Sequence, residues 1–210
     1  MQVTGWKSAV AVGGGILGIA VFLSATATPP RLQTAQVAAQ KVTLEVDPEQ
    51  SKVHYAVDST LHTVHGTFAL KKGSVVYFDP QTGKAGGEVA VYATSGESGN
   101  SSRDERMHKE ILETGKYPDA IFRPSQVEGK VGLNGASDVK LRGTILVHGG
   151  EHEIVADVHA DLAGDHWSGS ARFDIPYIQW GIKNPSTWLL KVKPVVNMEV
   201  DMMGAVGGTK

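Results

Sequence analysis

From Val42 to Met202 the chain returns to apolar residues at every second position, segment after segment. A period of two puts alternate side chains on opposite faces of an extended strand, so each segment carries one face that water disfavours. Val42, Leu44 and Val46 open the pattern, Asp47-Pro48 interrupts it, and Val53, Tyr55 and Val57 resume it. Val64, Phe68 and Leu70 follow with Gly66 in register, then Val76 and Phe78, then Val89, Val91 and Ala93. Later segments centre on Phe122, on Val139, Leu141, Ile145 and Val147, and on Ile154, Ala156, Val158, Ala160 and Leu162. Trp167, Ala171, Phe173 and Ile175 continue, and a last run goes from Leu190 through Val196, Met198 and Val200 to Met202.

No segment is apolar on both faces, so a buried parallel sheet is excluded and the strands are read as an antiparallel meander. About eight or nine one-sided strands need a shared dry space, which a closed barrel or a two-sheet sandwich supplies. A barrel of eight strands is just wide enough to be filled by side chains or to hold one small ligand. Turn signals support the meander: Asp79-Pro80-Gln81-Thr82-Gly83 between two strands and Gly149-Gly150 as a hairpin.

One segment follows a different period. Arg103 to Thr114 places Met107, Ile111 and Leu112 on a helical stripe, with Ser102 and Glu105 at capping-box spacing and Gly115 where a C′ glycine belongs. Tyr117-Pro118 prevents continuation. A short helix near residues 103–114 is therefore expected between strands, over a mouth or flank of the barrel.

The first 27 residues belong to another regime. Lys7 is the sole charge before Arg31, Ser8 to Leu23 is apolar, and Ala25-Thr26-Ala27 follows. That order reads as a signal peptide over 1–27, with an uncleaved membrane anchor as the alternative. Either reading places the folded part on the far side of a membrane, periplasmic or extracellular. Residues 28–41, with Pro29-Pro30 and no alternation, read as a flexible linker, and 204–210, with Gly204, Gly207 and Gly208, as a disordered tail.

The chain has no cysteine, which removes disulfides, thiolate metal sites and a thiol nucleophile. Its formal net charge is −2 with both signs dispersed, so no basic surface for nucleic acid is expected. His148 and His152 flank the Gly149-Gly150 turn, but no third ligand is placed and no metal is expected. His62 and His65, three apart on one strand, point to opposite faces. Gly96-Glu97-Ser98-Gly99 misses a nucleophile elbow by one residue.

Four stretches, in order, carry a resemblance: Asp47-Pro48 through Phe68 with Ser51, His62, Val64 and Gly66; Ser98 to Asp104 with Met107-His108 and Tyr117-Pro118; Val139 to Gly149; and Trp180-Gly181-Ile182 with Asn184-Pro185-Ser186. Together they resemble the YceI-like family over 42–203. The resemblance implies an all-β, elongated, eight-stranded antiparallel lipocalin-like barrel, non-catalytic, with a tunnel for a polyisoprenoid, quinone tail or similar apolar lipid. No other cofactor is implied. On that implication the lining is assigned to Val53, Tyr55, Phe68, Val91, Phe122, Leu141, Ile145, Val158, Phe173, Val196 and Met198, with Arg103, Asp104 and His108 as head-group contacts. Two alternatives stand beside it: an exported barrel with a filled core, structural or partner-binding, and a hydrolase acting on a lipid at the mouth beside His108.

Overall fold

The computed structural model describes residues 41–207. The apolar Ser8–Leu23 segment, residues 28–40 of the expected linker and residues 208–210 of the expected tail lie outside them. Among the described residues no helix is long and apolar enough to cross a membrane.

Ten antiparallel strands form one sheet: β1 (Val42–Val46), β2 (Lys52–Asp58), β3 (Thr63–Leu70), β4 (Val75–Phe78), β5 (Ala85–Glu97), β6 (Asp119–Glu128), β7 (Gly135–Val147), β8 (Gly150–Ala163), β9 (His166–Ile175) and β10 (Val196–Gly207). The sheet closes, because β10 pairs with β2 and β5 pairs with β6. The ten strands occupy only eight positions around the ring. β1 and β2 lie end to end along β10, opposite Gly204–Gly207 and Asn197–Asp201 respectively. β3 and β4 likewise lie end to end along β5, and β1 pairs with β4 as β2 pairs with β3. The molecule is an eight-position up-and-down barrel with two positions broken in mid-course.

Serine side chains stitch the ladder wherever it breaks. Ser51, buried, exchanges hydrogen bonds with the Met203 backbone across the β1–β2 interruption. Ser74, also buried, donates to Lys71 O and accepts from Ala90 N–H across the β3–β4 interruption. Ser95 accepts from Ala69 N–H at 2.8 Å and donates to Tyr92 O where β3 and β5 lose register. Each hydroxyl replaces a missing strand partner, which a buried backbone group requires.

Inward side chains form the larger packed core at one end, and a smaller cluster of Ile145, Ile154, Ile175, Tyr177 and Ile182 packs toward the other. Leu44, Val46, Val127, Ala160, Leu162 and Trp167 fill the barrel where β1 and β4 belong to the wall, and Trp167 Nε1–H donates to Glu45 O at 2.9 Å. Each fully buried apolar side chain there is worth roughly 1.5–3 kcal/mol. The outer faces carry cross-strand ion pairs such as Lys140–Asp157, Arg142–Glu128 and Arg172–Glu199. Being exposed and screened by solvent, they add little to stability.

Several sequence expectations are corrected. Residues 204–207 are not a tail: they are the end of β10, paired with Thr43–Val46 of β1. Gly204 and Gly207 are there because β1 runs close against them, which glycine alone permits without displacement. The last run starts late: Leu190–Val195 is a loop, and regular pairing begins at Val196. The β7–β8 turn is centred on His148-Gly149, both at positive φ, with Val147 opposite Gly150. That is the two-residue hairpin whose twist suits the strands.

The helix is shorter and differently capped than expected. α1 spans Ser101–Arg106, and Asn100, not Ser102, is the N-cap, accepting from Arg103 N–H. A π-helical turn, Met107–Ile111, follows directly. The chain leaves it through Glu113 at positive φ, while Gly115 has none.

Candidate functional site

The filled end stops midway, and the rest of the barrel encloses a cavity of about 480 Å³. Sites for small molecules span ~300–1,000 Å³. The walls are inward-facing strand residues, almost all apolar. Val53 and Val57 of β2, Phe68 and Leu70 of β3, Ile145 of β7 and Met198 and Val200 of β10 face one another across it. Gly66 sits opposite Tyr55, and a side chain there would collide with the Tyr55 ring and the Glu97 carbonyl. The missing Cβ is what lets Tyr55 lie against the wall, its ring centre 5.3 Å from that of Phe68.

Ten of the eleven expected lining residues are in place: Val53, Tyr55, Phe68, Val91, Phe122, Leu141, Ile145, Phe173, Val196 and Met198. Val158 is not. It has the same inward parity as Ala156, the last lining residue of β8, but it lies one step nearer the filled end and packs on the core instead. Parity assigns a face and leaves depth undetermined.

The mouth is built by non-strand segments. Arg103, Arg106, Met107, Ile111 and Leu112 line it from α1 and the π turn. Leu112 N–H bonds to Met107 O, five residues back, and this wider winding brings Leu112 to the cavity side with Met107. Residues 176–195, between β9 and β10, contribute Tyr177, Ile182, Pro185, Leu190 and Val192. The β2–β3 turn contributes Ser59 and His62. Of these loop contributors only Leu190 and Val192 followed the alternation of the last run, so periodicity could not reveal the others.

The three expected head-group contacts separate. Arg103 lines the mouth, but its guanidinium donates to Ser98 through Nε (2.7 Å to Oγ) and Nη2 (2.8 Å to O). Asp104 accepts the Ser98 hydroxyl and is not a lining residue. Desolvation pushes its carboxyl up, but the Ser98 hydrogen bonds and the Arg103 charge outweigh this and hold it below its ordinary value. His108 is not at the cavity wall: its Nε2 donates to Gly96 O at 2.8 Å, and its buried Nδ1 has no partner among the described residues. The first two fasten α1 to the end of β5, and the third fastens the π turn.

Two tyrosines bring polar groups to the apolar wall. The Tyr55 hydroxyl reaches Met107 Sδ at 3.7 Å, and burial, then the Asp104 charge, raises its pKa. Tyr177 is 4% exposed, its hydroxyl is buried with no partner among the described residues, and burial raises it as well. Two further histidines are engaged separately: His148 meets Glu113 at 2.7 Å and packs on Tyr117, whereas His152 stacks flat on Trp180. Among the described residues no three metal-ligating side chains gather.

A comparison with curated protein sequences gives no significant match. Solved structures of similar fold exist at low identity. BcnA of Burkholderia cenocepacia superposes with a TM-score of 0.63 at 16% identity, over 76% of this chain and 99% of its own. A polyisoprenoid binding domain from Saccharophagus degradans, implicated in plant cell wall breakdown, gives 0.59 at 12% identity, over 81% and 100%. The Campylobacter jejuni YceI protein gives 0.50 at 18% identity, over 68% and 82%. A sequence model of the YceI-like domain matches residues 44–203, a span that takes in both the cavity and its mouth, and the chain belongs to the YceI-like family.

Proposed function

We propose that this protein is a non-catalytic carrier that holds one long apolar molecule, of the polyisoprenoid, quinone-tail or similar lipid class, inside its barrel. The observation that carries the reading is the cavity of about 480 Å³, walled by apolar strand faces and entered past the helix and the 176–195 loop. Burying a methylene there is worth ~0.8 kcal/mol, so affinity would grow with chain length until the filled end is met. The neighbouring fold described as a polyisoprenoid binding domain speaks for the same ligand class. Arg103, with Arg106 beside it, is the polar group placed to meet a head group at the rim, and Tyr177 offers a buried hydroxyl.

Against a hydrolase at the mouth speaks the engagement of His108 with Gly96 O, and the place of the Ser98 hydroxyl and its Asp104 carboxylate outside the cavity lining. Against a filled core speaks the cavity itself. Export to the far side of a membrane, by a cleaved signal peptide or an anchor, is part of the proposal and rests on the sequence of the first 27 residues.

Native mass spectrometry of the protein purified from its own host tests the carrier reading. A copurifying apolar mass, released on denaturation and chemically unchanged after hours with the protein, is expected. A protein that stays ligand-free and fails to bind a fluorescent isoprenoid probe would end it.

A further inference from the structure

Three large apolar side chains at the mouth face solvent almost completely: Leu61 at 77%, Trp188 at 88% and Leu189 at 79% exposure. They are not scattered. Leu61 is in the β2–β3 turn, Trp188 and Leu189 are in the 176–195 loop, and the two loops are hydrogen-bonded into one platform. Thr60 N–H donates to Lys191 O at 2.9 Å, and Ser59 forms a bridge with Val192. Ser59, His62, Leu190 and Val192 on the same loops line the cavity, so the platform is the rim of its opening.

The charge around this rim differs from that of the whole chain, whose formal net charge is −2. Residues 176–195 contain Lys183, Lys191 and Lys193 and no carboxylate. Lys183 meets Glu110 and Lys193 meets Asp58, while Lys191 has no ion pair among the described residues. With Arg106 at the mouth, these residues and their partners Glu110 and Asp58 make four cations and two carboxylates, while on the helix Arg103 with Asp104 and Lys109 with Glu105 add no net charge.

The geometry points to an anionic lipid bilayer surface as the occupant of this platform. Trp188, Leu189 and Leu61 would enter the boundary between headgroups and acyl chains, with Lys191 at the phosphates. An amphipathic indole is at home at that depth, and lysines at its edge gain from anionic headgroups. A protein partner fits less well, since lysine is depleted at the centre of such interfaces, and a second copy of this chain would bring like charges face to face. A mouth laid against a bilayer lets an apolar chain pass into the barrel without crossing water. That consequence rests on the carrier reading; the docking does not.

The absence of cysteine makes a localised test direct. Leu189→Cys at the mouth and Asp165→Cys in the β8–β9 turn, at the opposite end, each give a single site for an environment-sensitive fluorophore in the full chain. Vesicles of phosphatidylcholine, with and without phosphatidylglycerol, are the probe. The label at 189 should shift to the blue on phosphatidylglycerol vesicles, the label at 165 should not, and ~1 M salt should weaken the response. In the 189-labelled chain, Lys191→Gln should lower partitioning roughly fivefold, and Trp188→Ala with Leu61→Ala roughly tenfold or more. Equal shifts at both ends, or none at 189, overturn the proposal, as does a shift at 189 that follows protein concentration without vesicles. Binding of a soluble fluorescent isoprenoid probe, measured without vesicles, should be the same in Trp188→Ala as in the parent chain. Failure of the parent to bind it would remove the carrier reading while leaving the docking result standing.

Discussion

Ser98 holds the helix to the barrel rim with one side chain, accepting from Arg103 Nε while donating to Asp104. Ser98→Ala would leave a half-buried guanidinium and carboxylate without that partner, and an expected loss of about 1–2 kcal/mol follows. The loss should depend on pH. The folded carboxyl of Asp104 lies below its unfolded value, so its stabilising contribution is complete above the unfolded carboxylate range, near pH 4, and disappears as pH falls through the lower folded value. Urea unfolding of parent and Ser98→Ala should therefore differ most at pH 7, and the gap should shrink as pH falls below about 4; a gap that does not change with pH would assign the effect to packing instead. Sequence reading singled out Arg103 and Asp104 but could not find Ser98 as their common partner. The contact joins the end of β5 to the first turn of the helix, and nothing in a linear spacing says that the chain folds back there.

Among the elements, β10 shows most clearly what alternation reveals and what it hides. Val196, Met198 and Val200 were legible because a period of two survives any arrangement of strands. Gly204 to Gly207 were not, because a single Val206 among Gly204, Ala205 and Gly207 is too little to show an alternation, and glycines look the same in a coil and in a strand pressed against its partner. The structure decides the matter: a Cβ on Gly204 would overlap the Glu45 carbonyl oxygen, a backbone atom that cannot yield without moving β1. Gly204→Ala should cost about 1–3 kcal/mol or more and speed amide exchange in Thr43–Val46, whereas a loose tail would tolerate it at no cost. Thermal unfolding with hydrogen exchange on β1 distinguishes the two. The same limit explains why the eight positions were foreseen but their division into ten strands was not. Asp47-Pro48 announces a break, yet only the pairing of both halves with one strand shows that β1 and β2 share a place in the ring.

At the scale of the whole barrel the deciding property is where filling stops. Alternation demands an apolar interior whether it is packed or hollow, so ten lining residues could be named from parity while the boundary that excludes Val158 could not. That boundary lies near Ala156 and Ala171, buried small residues on adjacent strands, with Ala171 opposite both Val158 and Val200. Small side chains at this depth extend the cavity toward the filled end, and they set the length of chain it can take. Ala171→Phe would move the floor toward the mouth without touching the rim. Filling space inside a barrel commonly stabilises by ~0.5–2 kcal/mol, so the melting temperature should hold or rise. Each methylene that no longer fits should cost ~0.8 kcal/mol, about fourfold in affinity. A series of isoprenoid probes of increasing length should then bind the variant as well as the parent up to a certain length and progressively worse beyond it. No loss at any length would mean that the ligand does not reach this depth, and that the hollow end serves something shorter than the barrel allows.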